Sequence, residues 1–268
     1  MESKESGFQL MDTGPGAYER YMTGVHCETR AKDLLDRVHL QPKEHVLDVA
    51  CGTGFVARQA ARRVGDLGKV VGVELNPAML EVARQVSAYH EPIEYLEGDA
   101  SALPVHDTEF DVALCQHAIM FFPDREASVR EMHRALKPNG RIAASVFRST
   151  EFNPAFKHLI TALERHAGPD TSDFMRSPFI MESVEQMRAL YEQAGFKEIS
   201  VVNRIVTLRY PSVAHLVRYE TLNIADPALH TSETQDALNR EMDTLVAAFI
   251  DDYGVVLPAQ DYVVVARR

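Results

Sequence analysis

Residues 46–54 read VLDVACGTG and run straight into FVARQAARRV. The first part, His45 to Ala50, is apolar through most of its length and predicts a strand covered on both faces. The second part predicts a helix from Phe55 onward. Between them a glycine pair lets the backbone turn tightly and lets a ligand approach the helix N-terminus. Gly52, Gly54 and Ala57 satisfy G-x-G-x-x-A, a spacing that dinucleotide-binding proteins share, so the loop alone does not name its ligand.

Outward from this unit the pattern repeats. Short β-branched runs at Lys69 to Glu74, Ile93 to Glu97, Asp111 to Gln116 and Arg141 to Phe147 alternate with helical stretches. That alternation predicts parallel βαβ units and a doubly wound sheet. Asn76 and Pro77 read as N-cap and first residue of a helix with an apolar stripe at Met79, Leu80, Val82, Ala83 and Val86. Asp124 opens another helix, which Lys137-Pro138-Asn139-Gly140 stops. Ser183 and Gln186 form a capping box, and Gly195 closes that helix. A long strand follows at Lys197 to Arg209, and Asp261 to Arg268, with four consecutive β-prone residues from Tyr262, predicts a last strand able to pair with it. The intervening segments 150–182 and 211–253 read as helical insertions over the sheet edge. With no repeat, low-complexity tract or flexible linker, residues 1–268 read as a single domain with a helical cap.

Acids mark the strand ends. Glu74 lies 20 positions beyond Gly54, where a carboxylate can accept from both hydroxyls of a ribose. Asp48 sits inside the first strand and aims a negative charge at the glycine loop, which repels a pyrophosphate and suits a ligand carrying an ammonium and a sulfonium. Asp99, in EGDA at 97–100, is placed to accept from an adenine amino group.

These segments together resemble the class I S-adenosylmethionine-dependent methyltransferases, in particular the small-molecule branch that includes the ubiquinone and menaquinone C-methyltransferases. VLDVACGTG, VVGVELNPAML at 70–80, EGDASALP at 97–104, FDVALCQHAIMFFPD at 110–124 and LKPNGRIAASVF at 136–147 match its motifs in order, over a core of about residues 30–150. The resemblance implies a Rossmann-like, doubly wound seven-stranded α/β sheet with an antiparallel last strand. It implies S-adenosyl-L-methionine as cofactor and S-adenosyl-L-homocysteine as product. Asp48, Ala50 and the loop Gly52, Thr53, Gly54 would hold the methionine end. Glu74 would take the ribose, Leu75 and Met79 would pack on adenine, and Asp99 with Ala100 would read its edge. Cys115 and Gln116 would line the channel beside the methionine. Tyr21, with Tyr18 and His26, falls in a segment that in this family commonly folds over the cofactor.

The acceptor is expected to be a small apolar or aromatic molecule with an O, N or C nucleophile. His117, at the mouth of the fourth strand, is the first candidate base, and His26 the second. Phe121, Phe122, Phe147, Phe152 and Phe156 are candidate pocket lining. The rival readings are a nicotinamide-dependent oxidoreductase, which the absence of a Tyr-x-x-x-Lys pair disfavours, and a protein that retains the pocket without methylating.

Composition sets the outer bounds. The 268 residues are 46% hydrophobic with a formal charge of -11, which disfavours nucleic-acid binding without a local basic groove. Cys27, Cys51 and Cys115 form no ligand-like cluster, so no metal is expected and a reducing, cytoplasmic compartment fits. An uninterrupted run of about 18 apolar residues is missing, as is an apolar leader in MESKESGFQLMDTGPG, so no membrane association is expected. Either a monomer or a homodimer is expected.

Overall fold

Five parallel strands, β1 (His45–Val49), β2 (Lys69–Glu74), β3 (Ile93–Glu97), β4 (Phe110–Gln116) and β5 (Leu136–Phe147), carry the first half of the sheet. In this computed structural model, which describes residues 14–87, 93–222 and 224–268, the strand order is β3-β2-β1-β4-β5-β8-β6. β6 (Lys197–Tyr210) and β8 (Gly254–Arg267) are antiparallel to each other, and β8 inserts between β5 and β6. The expected Rossmann-like sheet with an antiparallel last strand is therefore present. It has eight strands rather than seven, because the two-residue β7 (Ile250–Asp251) folds back on β8 through a turn that Asp251 closes by accepting from the Tyr253 amide. The reading of the first thirteen residues as lacking a leader lies outside the described residues. Among those described, no helix is long and apolar enough to cross a membrane.

Helices cover both faces. α2 (Glu28–Arg37), α3 (Phe55–Val64) and α4 (Pro77–Ser87) pack on one face through Leu34, Leu35, Ala57, Ala60 and Leu80. α5 (Arg125–Ala135) and α8 (Val184–Gln193) cover the other through Val129, Met132, Met187 and Tyr191. Ahead of α2 the chain makes one α-helical turn, α1 (Gly14–Ala17), then a ten-residue π-helix, Tyr18–Cys27. Runs of that geometry are rare and cluster at functional sites.

Local chemistry sets the helix starts as the residue types predict, whereas α5 already ends at Ala135 and the residues expected to stop it, Lys137 to Gly140, lie within β5. Asn76 Oδ1 accepts from the Ala78 amide at 2.9 Å and Asp124 Oδ1 from the Ala127 amide at 2.8 Å. Ser183 Oγ takes the Gln186 amide, while Gln186 Oε1 reaches back to Glu182 rather than to Ser183. The strand expected from Arg141 starts earlier, at Leu136, because buried Leu136 pairs with Phe110 across a register shift.

The cap has a simple origin. Asp261 of β8 pairs with Phe147, the last residue of β5, so residues 254–260 run on past the parallel strands with β6 beside them. On this projecting ribbon Val206, Leu208, Tyr210, Val255, Leu257 and Ala259 are buried, alternating along each strand with more exposed neighbours. One apolar face of period two demands a cover. α6 (Pro154–Ala167), α7 (Pro169–Arg176), α9 (Val213–Thr221) and α10 (Ser232–Leu245) supply it from the two insertions.

Candidate active site

The strand order reverses between β1 and β4, and in open α/β sheets the ligand crevice lies beyond the carboxyl ends of the strands at that point. Two residues there hold left-handed backbones without being glycine: Ala50 at φ 55° and His117 at φ 52°. Such strain persists where the surroundings over-determine it, and it gathers at binding sites. Gly52 and Gly54 are also left-handed, at φ 56° and 77°. A Cβ on Gly52 would meet nothing, so the space above it is open to a ligand, whereas one on Gly54 would overlap the Tyr95 ring.

Asp48 is 1% exposed, and its Oδ2 has no partner. Burial pushes its carboxyl up to about 8, against the Ala57 amide, which lowers it, and with Glu74, which raises it. The expectation that Asp48 presents a standing negative charge is thus corrected. In the bare protein burial, with Glu74 reinforcing it, favours the protonated form of this group. Gln116 Oε1 and Ser145 Oγ are likewise buried without partners. Register places all three on one face of the sheet, since Asp48 pairs with Leu114 and Gln116 with Ser145. Two of these orphaned groups are pure acceptors when ionised or amide-like, so the row fits a ligand that brings donors and positive charge.

Glu74 ends β2 with both carboxylate oxygens engaged: Oε2 accepts from the Gly52 amide and Oε1 from the Asn76 amide, each at 3.0 Å. It thereby ties the glycine loop to the start of α4. Burial nevertheless raises its pKa, with those amides opposing. Beside it Leu75 is 55% exposed, unusual for a large apolar side chain at the floor of a crevice, while Met79 is buried in α4. Asp99 is exposed and folds onto its own turn, Oδ1 accepting from both the amide and hydroxyl of Ser101 at 2.7 Å. Ala100 follows it, half-buried. Leu75, Asp99 and Ala100 thus stand at the tips of β2 and β3, where an adenine could lie.

Thr53 brings in a residue that the sequence reading missed. Its hydroxyl donates to Glu19 Oε2 at 2.5 Å, and Glu19 Oε1 takes Arg58 of α3 at 2.6 Å. The π-helix therefore straps the glycine loop through Glu19. Tyr21, expected at the cofactor, instead stacks on Tyr219 of α9 with ring centroids 4.9 Å apart. That is a correction: the strap sends its acid to the loop and its aromatic ring to the cap. A second correction concerns Cys115. Strand alternation turns its fully buried thiol to the opposite face, into the core beneath α5 and α8, so only Gln116 of that pair faces the crevice.

At the tips of β4, β5 and β8 a second cluster forms. His117 meets the edge of the Phe147 ring, centroids 4.1 Å apart at 90°, and its Nε2 lies 3.5 Å from Asp261 Oδ2. Asp261 is gripped by Arg30 of α2, whose Nε and Nη2 donate to its two oxygens at 2.7 and 3.2 Å. His26 is next in the row: Nε2 pairs with Glu220 Oε1 at 2.7 Å, and Nδ1 faces Arg30 Nη1 at 3.4 Å. Tyr210 also donates to Glu220 Oε1, at 2.6 Å. Both nitrogens of His26 are engaged, so the expectation of His26 as a base is corrected and it becomes part of the frame. Of the expected aromatic lining, Phe147 lies where the sheet core meets the cap core, Phe156 is buried in the cap, Phe152 sits beneath the Arg148 guanidinium, and Phe121 and Phe122 pack on the sheet core. Among the described residues no group of three or more His, Cys, Asp or Glu side chains is placed to hold a metal ion.

A family profile for the methyltransferase domain matches residues 47–144, the stretch that carries the glycine loop, Glu74, Asp99 and His117. This stretch is a methyltransferase domain. The methyltransferase is 28% identical over 212 residues to the demethylmenaquinone methyltransferase of Staphylococcus saprophyticus, covering 74% of this chain and 91% of that one. Its fold is similar to that of a putative methyltransferase from Bacillus halodurans, with TM-score 0.61, 23% identity and coverage of 90% and 99% of the two chains. It is also similar to the fold of phosphoethanolamine N-methyltransferase 2 of Haemonchus contortus in complex with S-adenosyl-L-methionine, with TM-score 0.62, 20% identity and coverage of 96% and 57%. The oxidoreductase reading finds no support in these likenesses.

Proposed function

We propose that this methyltransferase acts in the cytoplasm on a small hydroxylated aromatic ring held beneath the cap, with His117 receiving the proton that the acceptor gives up. The observation that carries this reading is the position of Phe147. It belongs to both apolar cores, stands at the junction of sheet and cap, and sets its ring against the only strained histidine at a strand tip among the described residues. A flat apolar acceptor seated on Phe147 would lie beside His117. The relatives named demethylmenaquinone methyltransferases support an aromatic acceptor as well.

S-Adenosylmethionine supplies a methyl group already activated by its sulfonium. The protein has to hold, orient and exclude water. Asp48, Gln116 and the open face of Gly52 would receive the methionine end, Glu74 the ribose hydroxyls, and Leu75, Met79, Asp99 and Ala100 the adenine. His117 would take the proton that the acceptor gives up as it gains the methyl group, whose bonding pair would be left on the donor's sulfur. Alignment of this kind is worth roughly 7 to 11 kcal/mol, more than the roughly 3 to 5 that a base supplies.

The test offers the protein S-adenosylmethionine with a demethylated naphthoquinol, simple phenols, and phosphoethanolamine, and measures S-adenosylhomocysteine. Methylation of a ring carbon or a phenolic oxygen is the expected result. Turnover confined to the amine would overturn the aromatic reading.

A further inference from the structure

We infer that Asp261 and Arg30 are positioning residues for methyl transfer: Arg30 holds Asp261, and Asp261 holds His117 in the one tautomer whose free nitrogen faces the acceptor. The inference rests on the assignment of His117 above and deepens it.

Geometry carries the argument. Asp261 is 1% exposed and receives a two-pronged grip from Arg30, itself 4% exposed, which fixes the plane of the carboxylate. The oxygen nearer to Arg30 Nε, Oδ2, is also the one that faces His117 Nε2. Nε2 makes no hydrogen bond, but a lone pair there would face the carboxylate at 3.5 Å and be repelled, so the charge favours the Nε2–H form and leaves the accepting lone pair on Nδ1. Phe147 completes the seat, with the Arg30 guanidinium 5.2 Å from its centroid and the His117 ring at its edge. The left-handed backbone of His117 is pinned by its amide, which donates to the Ser145 carbonyl at 2.8 Å.

The charges facing His117 agree with that role. They are Asp261 from β8, Arg30 from α2 and His26 from the π-helix, with Glu220 of α9 behind His26. Burial lowers His117 to about 4, Asp261 opposing and Arg30 and His26 reinforcing. Although burial opposes its ionisation, Asp261 is held well below the usual carboxylate range by Arg30 and His117. So weak a base is adequate here. An oxygen or ring carbon that has just gained a methyl group is a far stronger acid than the neutral acceptor, and an uncharged imidazole adds no repulsion beside a sulfonium.

The experiment uses the full chain, saturated with S-adenosylhomocysteine and labelled with ¹⁵N at histidine, the His117 signals being assigned by their loss in His117→Gln. Wild-type protein is expected to show His117 neutral at pH 6 with the proton on Nε2. Asp261→Asn leaves Arg30 buried and unpaired and is a risk to folding, so the decisive variant is the charge-balanced pair Arg30→Gln with Asp261→Asn. It should retain S-adenosylhomocysteine affinity within about threefold and show mixed tautomers. With an acceptor that turns over, kcat should fall by about a hundredfold, the size of effect a base contributes, with KM little changed. An Nδ1–H wild type, or a tautomer unaltered in the double variant, would overturn the inference. Because the spectrum is read without an acceptor, failure of the aromatic assignment leaves this result standing, and failure here leaves methylation untouched.

Discussion

The two ends of the crevice are built in opposite ways. The cofactor end collects Asp48, Gly52, Glu74 and Asp99 from the tips of three neighbouring strands, each joined to the next by a single helix or loop. The acceptor end collects His26, Arg30, His117, Phe147, Glu220 and Asp261, and its central ion pair spans 231 positions. At the first end Asp48 Oδ2, with Gln116 Oε1 and Ser145 Oγ beside it, is buried without a partner. At the second, Arg30 with Asp261 and His26 with Glu220 are already paired, and His117 Nε2 lacks a hydrogen bond. The difference fits the proposed partners: a cation that brings its own charge to the first, and a neutral molecule that needs a prepared surface at the second.

The sharpest way to break this contrast is at His117. His117→Gln should lower turnover by about 10² to 10⁴, the range of general-base contributions, while calorimetry finds S-adenosylhomocysteine affinity unchanged. Loss of affinity would show that the two ends are not separate. A smaller effect is expected at Glu74. Glu74→Ala removes two amide contacts and the expected ribose acceptor, and charge-assisted bonds of roughly 1.5 to 3 kcal/mol translate into cofactor binding weaker by about tenfold or more. Titration curves that match wild type would remove Glu74 from the ribose.

The smallest signal is a fraction of a proton. Asp48 is raised to about 8 in the folded protein and returns to about 3.9 when unfolded, so the native state binds more protons across that window. Stability of the ligand-free protein therefore falls as pH rises from about 4 to 8, by linkage. A ligand ammonium favours the ionised form, and binding of S-adenosylhomocysteine at pH 7 should release protons. Calorimetry in buffers of different ionisation enthalpy measures this release, and Asp48→Asn should abolish it. Zero release by wild type would mean that Asp48 is not the partner of the cation.

The same contrast explains what could be read in the sequence. The strands, the glycine loop and the acids after it are local patterns, in which a strand, a turn and a helix cap each announce themselves within a few residues. Strand alternation was also available to separate Gln116 from Cys115, since adjacent residues face opposite ways. Asp261 gave one further signal, a charged residue opening an otherwise apolar run, but nothing near it in sequence names Arg30 as its partner. Glu19 and Glu220 lie in helices whose exposed neighbours are equally charged, and only tertiary contact distinguishes them. The cap showed itself as helical, yet its site followed from the length of β6 and β8, which fourteen-residue strands set and turn residues do not mark.

β8 enters between β5 and β6, and so that place in the sheet waits for a segment made after both of its neighbours. A nascent chain made through β5 already carries the glycine loop and Glu74, yet it has no Asp261. Contacts that distant in sequence form slowly. Until they do, no part of β8 stands beside the His117 imidazole.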